Sequence, residues 1–445
     1  HDKEKELGTP LPWDKSQVVE SLSDSTIYMA YYILAKYLEP NSRDKANIKP
    51  EQLKKEFFDF VLLGKGDIEE VSKITGIDKE LLLKMKEEFD YWYPVDARHS
   101  GKDLIQNHLT FFIFHHVAIF DKEKWPRGIA VNGHVLLNGE KMSKSKGNII
   151  TTEWALNNWG AEITRFLVAL AGDSTLDDGN LDLRITNRLI EELPKLIDLI
   201  PEIYNKKAEK ENETIKKAFI AYFINKLKDL EKEADNLNFR TVITELYFNL
   251  LKELIYFSDY LGEDKKLLIE EWLKFFSIFN PHIAEEIWQK LSKKTLISEE
   301  EFKFNNVKID DKFSKSLEYI NNLIEKIREI KQLLEKKGNK INKVEIYLPT
   351  KENYELAKEI RELIKESKNL KELIQRIKKE KPELMREMKK IQFLFKNSQF
   401  LELLEVEEEI IKGFKDYIKE RTGLEVEIKE NNKDSLPGNL RFNLV

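Results

Sequence analysis

The spacing of apolar positions divides this 445-residue chain into segments of different period. LGTPLPWD at Leu7 to Asp14, with two prolines and a glycine, reads as a loop. From Asp24 to Leu38 the spacing turns helical, with Ser23 or Asp24 placed to cap the first turn and Pro40 beyond the end. A charged, mostly helical stretch runs on to Phe89, with a turn signal in LLGKGD at Leu62 to Asp67. Near Tyr91 the pattern changes to YWYPVDARHSGKD, a short strand ending in a glycine turn. Lys102 to Phe120 then reads as one long apolar helix. Leu104, Ile105, Leu109, Phe112, Ile113, Val117 and Phe120 circle most of it, which predicts burial against a sheet on one side and a βα unit with the strand before it. Ile129 to Leu137 with Asn138-Gly139 predicts a hairpin, for which Asn132-Gly133 serves equally well as the turn. Two helices are expected between Thr152 and Gly172.

From Arg184 to about Lys337 the period is helical almost throughout, with breaks near Pro201, Gly262 and Pro281, the signature of a helix bundle. Gly338 opens a different pattern. NKVEIYLP at Asn342 to Pro349 alternates as a strand, and two charged helices span Glu352 to Lys379 and Pro382 to Asn397. LEVEIKE at Leu424 to Glu430 alternates again, giving a small α+β domain. No internal repeat is visible.

Apolar residues at 41% and charged residues at 35% fit a soluble globular chain with a heavily charged surface. The excess of Lys, Glu, Ile and Asn suits a thermophile's surface and an AT-rich genome equally. The longest apolar stretch, Leu109 to Phe120, is too short to span a bilayer. The absence of cysteine excludes disulfides, thiolate metal sites and a cysteine nucleophile. His115 and His116 stand together with no third ligand near, so no protein-bound metal is predicted. The chain starts with His and no signal-like sequence follows, which reads as a cut chain rather than a processed one. A net charge of −6 argues against a nucleic-acid partner, yet Lys315 to Lys396 holds 22 Lys plus Arg against 14 Glu. That local +8 is either an electrostatic footprint for phosphates or a solvated helical face.

The chemistry concentrates in KMSKSKGN at Lys141 to Asn148, where Lys141, Lys144 and Lys146 share a loop bounded by Gly139 and Gly147. Ammonium groups this close repel one another, an arrangement that makes sense beside a polyphosphate, where lysines act as point charges on a phosphoryl transition state. A surface lysine run is the plain alternative. The segment resembles the KMSKS signature loop of class I aminoacyl-tRNA synthetases, complete over Lys141, Met142, Ser143, Lys144 and Ser145. The resemblance implies a loop that closes over ATP, with Lys144 and Lys141 as the catalytic cations while a carboxylate attacks the α-phosphate and pyrophosphate leaves.

GKDLIQNH at Gly101 to His108 resembles the same family's GxDxxxxH pattern. Gly101 allows close approach to the nucleotide, Asp103 is able to accept from two ribose hydroxyls, and His108 is placed to meet the nucleotide and line the amino-acid pocket. A plain helix N-cap is the structural alternative for Asp103. SLSDSTIYMAYY at Ser21 to Tyr32 resembles a leucyl-enzyme block that shapes the side-chain pocket. Ser25 and Tyr28 fall on its matching positions, three apart and so on one helical face, while Leu22 stands where bacterial relatives are aromatic.

With FFDFVLLGKGD, YWYPVDARHSGKDLI and NHLTFFIFHHVAIF, the chain resembles archaeal and eukaryotic-type leucyl-tRNA synthetases from Leu7 to about Asp182. GNLD at Gly179 to Asp182 and NPHIAEEIW at Asn280 to Trp288 extend the likeness, which beyond Gly338 rests on domain order. It implies three parts. Residues 1–182 form the C-terminal half of a doubly wound, Rossmann-like α/β core, residues 183–337 an all-α anticodon-binding-type bundle, and residues 338–445 a small α+β tRNA-binding domain. It also implies a cytoplasmic ligase that activates leucine with ATP, Mg2+ being part of that substrate, and transfers it to tRNA(Leu). The bundle would contact the tRNA and the terminal domain would read its long variable arm. The family's HIGH motif and editing insertion are missing from this sequence. The expectation is therefore a truncated product or one half of a split enzyme, inactive without a separate N-terminal half. Competing readings are a non-catalytic synthetase-derived tRNA-binding or assembly subunit, against which the intact KMSKS speaks, and a valyl, isoleucyl or methionyl enzyme. The block around Asp24 and HSGKDLI argue against those three.

Overall fold

A computed structural model describes residues 9–11, 13–19, 21–39, 42 and 46–445; the side chains of Ser21, Asp24 and Lys144 lie outside that description. The chain forms two compact units, residues 1–149 with 171–182, and residues 150–170 with 183–445.

In the first unit β1 (Thr9–Pro10) pairs antiparallel with β2 (Val18–Val19). Leu7, Gly8 and Pro12 of the predicted loop, and Pro40 after the first helix, lie outside the described residues. The helix predicted from Asp24 is instead a separate turn at Ser21–Asp24, a break, and then α1 (Tyr28–Leu38). The break has a chemical cause. The hydroxyls of Ser25 and Thr26 donate back to the carbonyls of Leu22 (3.3 Å) and Ser23 (2.9 Å), competing with continuation of the helix. Ser25 therefore lies in the turn and shares no helical face with Tyr28. Three helices follow, α2 (Lys55–Leu63), α3 (Ile68–Thr75) and α4 (Lys79–Trp92). Asp67 and Asp78 cap the last two by accepting backbone N–H groups. With α1 they enclose Leu34, Tyr37, Phe57, Leu82, Met85 and Phe89.

Next, β3 (Arg98–Gly101) runs parallel to β4 (Ile129–Asn132), with Gly101 opposite Asn132. The helix between them enters through a 3-10 turn at Lys102–Leu104 and a π turn at Ile105–Leu109 before becoming α5 (Thr110–Ile119). One side is buried, through Leu109, Phe112 and His116, while Phe114 on the other is 65% exposed with Ile113 and Val117 beside it. His116 donates from Nδ1 to the Phe112 carbonyl (2.8 Å), leaving Nε2 to accept from the Tyr93 hydroxyl (3.1 Å). Burial pushes its pKa down, so it packs as a neutral ring. His115 in turn shares a hydrogen bond with Thr26.

The hairpin is β5 (Val135–Leu137) with β6 (Glu140–Lys141), and β5 also pairs parallel with β7 (Gly179–Leu181). Its turn is Asn138-Gly139, both at positive φ (50° and 84°). Gly133 of the other pair has a different role. A Cβ there would lie 2.0 Å from the Asp177 carbonyl oxygen, so glycine lets that segment cross.

In the second unit α6 (Thr152–Ala171) is two helices merged across a kink at Gly160 (φ 81°), matching the predicted pair. The bundle comprises α7 (Leu196–Asn205), α8 (Glu213–Asp235), a helical run from Phe239 to Phe257, α9 (Asp264–Phe279), α10 (Pro281–Lys290) and α11 (Ser316–Glu335). Pro201 does not break the chain but sits inside α7, forgoing one helical hydrogen bond, and the interruption falls at Pro194. The run Phe239–Phe257 is π-helical over Thr244–Leu250, and the Leu246 carbonyl there also accepts from the Trp272 indole (2.9 Å). At the centre, α9 buries Leu268, Ile269, Trp272, Phe275 and Phe276 together with an ion pair, Glu271–Lys274 (2.7 Å). Glu271 also accepts from the backbone N–H of Lys303 (2.7 Å) and Phe304 (3.0 Å), and Lys274 donates to the Glu301 carbonyl (2.7 Å). One pair thus pins the 301–304 loop to the bundle.

The terminal region is a three-stranded sheet in the order β10-β8-β9. Here β8 (Lys343–Pro349) is parallel to β9 (Glu425–Asn432) and antiparallel to β10 (Arg441–Leu444). The stretch predicted as a single helix over Glu352 to Lys379 is split into α12 (Lys351–Lys365) and α13 (Leu370–Glu380), because Asn369 caps the second by accepting from Glu372 N (3.0 Å). After α14 (Met388–Lys396) come α15 (Glu407–Gly413) and α16 (Lys415–Thr422). Buried Glu407 ties this region to α11 by accepting from the Tyr319 hydroxyl (2.6 Å) and from Gly438 N (2.7 Å). Among the described residues no helix is long and apolar enough to cross a membrane.

Because Glu271 neutralises a buried ammonium and satisfies two loop amides, Glu271→Ala should cost about 3 to 5 kcal/mol in urea unfolding of this chain. Adding Lys274→Met to Glu271→Ala should recover only the part due to the unpaired ammonium, because the amides of Lys303 and Phe304 stay without an acceptor. A cost below about 1 kcal/mol for the single variant would show that the loop is held elsewhere.

Candidate active site

Strands β3 and β4 end side by side at Gly101 and Asn132, and ligands of open α/β sheets bind at such carboxyl ends. Lys102, the next residue after β3, reaches Asp178 (2.6 Å) and the Leu176 carbonyl (3.1 Å). The same Asp178 oxygen accepts from His134 N (2.8 Å), just beyond β4. The Lys102 ammonium first, and that amide second, hold the Asp178 carboxyl below the usual range. Together with the crossing at Gly133, these contacts tie the 173–178 segment to the strand ends.

Asp103 is exposed in the Lys102–Leu104 turn and its side chain caps no helix. A Cβ on residue 101 would fall 2.7 Å from Asp103 Oδ1, so the carboxylate lies back over Gly101. The N-cap alternative drops out, and what remains is a solvent-facing acceptor at the strand end. His108 is buried in the π turn. Arg98 of β3 brings its Nη2 to 3.4 Å from His108 Nε2 and lays its guanidinium 5.6 Å from the centre of the Tyr28 ring. Tyr28, Arg98 and His108 therefore stand together. The Ser21–Asp24 turn packs on Ile105–Leu109, beside His108, while the Ser25 hydroxyl is engaged with Leu22. Arg98 is the residue the motifs do not mark. Its only signal in the sequence is a cation in the strand that leads into GKD.

Lys141 closes β6 and is exposed, as are Ser145 and Lys146, while Met142 and Ser143 are half-buried. Lys144 begins a 3-10 turn, Lys144–Lys146, that ends at Gly147 (φ 66°). Asn148 closes the loop's neck: its Oδ1 accepts from Ser143 N (2.8 Å) and its Nδ2 donates to the Lys141 carbonyl (3.1 Å). The Ser143 and Ser145 hydroxyls share a hydrogen bond (2.8 Å). Asn180 accepts from Gly139 N (2.7 Å), anchoring the hairpin beneath. Among the described residues no ion pair engages Lys141 or Lys146, and no hydrogen bond joins the loop to Asp103.

A family profile described as an anticodon-binding domain of tRNA ligase matches residues 216–346, and one described as tRNA synthetases class I (M) matches residues 73–231. The leucine–tRNA ligase of Archaeoglobus fulgidus is 36% identical over 98% of this chain and 46% of its own length. That of Aeropyrum pernix is 42% identical over 74% of the chain and 35% of its own, and that of Pyrococcus abyssi 35% over 94% and 44%. The chain thus spans less than half the length of these curated relatives. A solved leucyl-tRNA synthetase complex from Agrobacterium radiobacter K84 covers 66% of the chain and 34% of its own at 17% identity, with a TM-score of 0.39, too loose a likeness to carry an argument. On the sequence matches, the chain belongs to the class I aminoacyl-tRNA synthetases, and its relatives there include archaeal leucine–tRNA ligases.

Proposed function

We propose that this chain supplies the KMSKS side of an active site that activates leucine with ATP and transfers it to tRNA(Leu). The observation that carries this reading is the identity to leucine–tRNA ligases, 36% across 98% of the chain. In the first step the leucine carboxylate attacks the α-phosphate and pyrophosphate departs. In the second a terminal tRNA hydroxyl attacks the leucyl carbonyl and AMP departs. Neither step needs a strong base so much as preorganised charge.

Asp103, exposed over Gly101, takes the ribose hydroxyls, with Gly101 giving the nucleotide room and His108 behind it. Lys141, Met142, Ser143, Lys144 and Ser145 form the loop that meets the triphosphate, to which Mg2+ belongs as part of the substrate. Ser25, Tyr28 and His108 line the leucine side-chain pocket. The exposed apolar face of α5, with Ile113, Phe114 and Val117, supports a further part of the nucleotide-binding fold packing there. That part would carry HIGH, which this sequence lacks, as a preceding segment or a separate chain.

Residues 183–337 act as the tRNA-contacting bundle and residues 338–445 as the reader of the variable arm. Several basic residues of the +8 stretch are matched locally, as in Lys315–Glu402 (3.3 Å), Arg376–Glu366 (2.6 Å) and Lys381–Glu359 (3.0 Å). Lys336, Lys337, Lys371, Lys378 and Lys379 are exposed with no carboxylate partner among the described residues. A cavity of about 300 Å³ in the same region is lined by Lys351, Tyr354 and Lys358 but also by Glu405, Glu408 and Glu430, so its ammonium groups are outnumbered by carboxylates and it offers no basic site.

This chain alone should give no leucine-dependent exchange between ATP and pyrophosphate, and robust exchange would overturn the need for a HIGH-bearing half. With that half supplied, Lys144→Ala should lower the exchange rate by ~10² to 10³, the scale of one preorganised contact to a transition state, with leucine KM little changed. Unaltered exchange would reduce the loop to a surface lysine run.

The terminal region shares buried contacts with α11, so substitution tests the tRNA reading more cleanly than deletion. Replacing Lys371, Lys378 and Lys379 by Gln should flatten the log-log dependence of tRNA affinity on salt by roughly 0.7 to 0.9 per lost phosphate contact. An unchanged slope would leave these lysines a solvated face.

A further inference from the structure

Arg98 is held in place by the sheet, its N–H donating to the Gly128 carbonyl (3.0 Å) and its position paired with Ile129. A guanidinium has donors only and stays charged, so the His108 Nε2 that faces it at 3.4 Å must accept. An imidazole that accepts at Nε2 is neutral and carries its proton on Nδ1. The same guanidinium lies over the Tyr28 ring, 5.6 Å from its centre, and its Nε is buried. One rigid, planar cation therefore touches two side chains that come from α1 and from the π turn, 80 positions apart in the chain.

We propose that Arg98 is a positioning residue of the amino-acid pocket, holding His108 as the neutral Nδ1–H tautomer and in register with Tyr28. This rests on the reading that the pocket takes leucine. An apolar side chain packed against an imidazolium would face a charge stripped of water, so a wall kept neutral favours leucine binding. Lysine would not replace Arg98, because a point charge on a flexible stem lacks both the fork and the flat face that stacks on the tyrosine.

The tautomer is read directly in this chain after histidine-selective 15N labelling, with His108 assigned through His108→Gln. At pH 6 we expect Nδ1 protonated and Nε2 bare. In Arg98→Gln, and equally in Arg98→Lys, His108 should become a mixture of tautomers and imidazolium, while the buried His116 signal stays put and reports an intact fold. His108 unchanged in Arg98→Gln overturns the proposal. In the completed enzyme, Arg98→Gln should raise the leucine KM for exchange roughly tenfold, equivalent to about 1.4 kcal/mol, with kcat and the ATP KM unchanged. If the tautomer shifts but the ATP KM rises in place of the leucine KM, the bracing stands and the assignment of the pocket to leucine fails.

Discussion

The placement of the candidate site depends on one carboxylate, Asp178, bound at once by the ammonium of Lys102 and the amide of His134. Lys102 lies between Gly101 and Asp103, so its tether sets the direction in which the chain leaves β3. His134 lies one residue past Gly133, where the Asp177 backbone occupies the space a Cβ would fill. A substitution at Gly133 would push Asp177 away, and Asp178 with it, freeing Lys102. Among the described residues no hydrogen bond or ion pair of the Asp103 side chain would keep it in place without that tether. A residue outside the motifs thus braces the one proposed to bind a ribose.

The periodicity of the sequence reveals the helices and the parallel βα unit because burial is what sets the period. It fails where local hydrogen bonding overrules burial. The apolar spacing runs straight through Ser25 and Thr26, yet their hydroxyls take the carbonyls the helix needs, and the helix restarts at Tyr28. Asn369 likewise splits a charged stretch that looks continuous. Asn132-Gly133 and Asn138-Gly139 are equivalent as letters, and only the crossing at Asp177, a contact more than 40 positions away, tells them apart. The four residues of β10 are too few to show alternation. Pro201 misleads because a helix survives the loss of one hydrogen bond when its flanks are packed, as Leu196 and Ile200 are.

For the candidate site, motif residues such as Asp103 and Lys141 are legible because each carries a charge in its own side chain. Arg98 and Asn148 are not, because they act on other residues. An arginine in a strand and an asparagine after a glycine have many bland explanations, and only distances to His108, Ser143 and Lys141 separate these from the rest. The charge pattern shows the same limit. The +8 between Lys315 and Lys396 is a sum, whereas the structure divides it into lysines matched by nearby glutamates and lysines left to solvent.

The identity of the residue at the neck of the KMSKS-type loop follows from this division. On the proposed reading the loop holds its shape while leaving the ammonium groups of Lys141 and Lys146 uncommitted, since a lysine already paired would have to break a contact before meeting phosphate. A carboxylate at position 148 could accept from Ser143 N, but it could not donate to the Lys141 carbonyl, and it would offer a negative charge to the lysines on either side. The amide of Asn148 makes both backbone bonds and carries no charge. Shape is fixed by backbone hydrogen bonds, and the positive potential is left intact for an anion from outside.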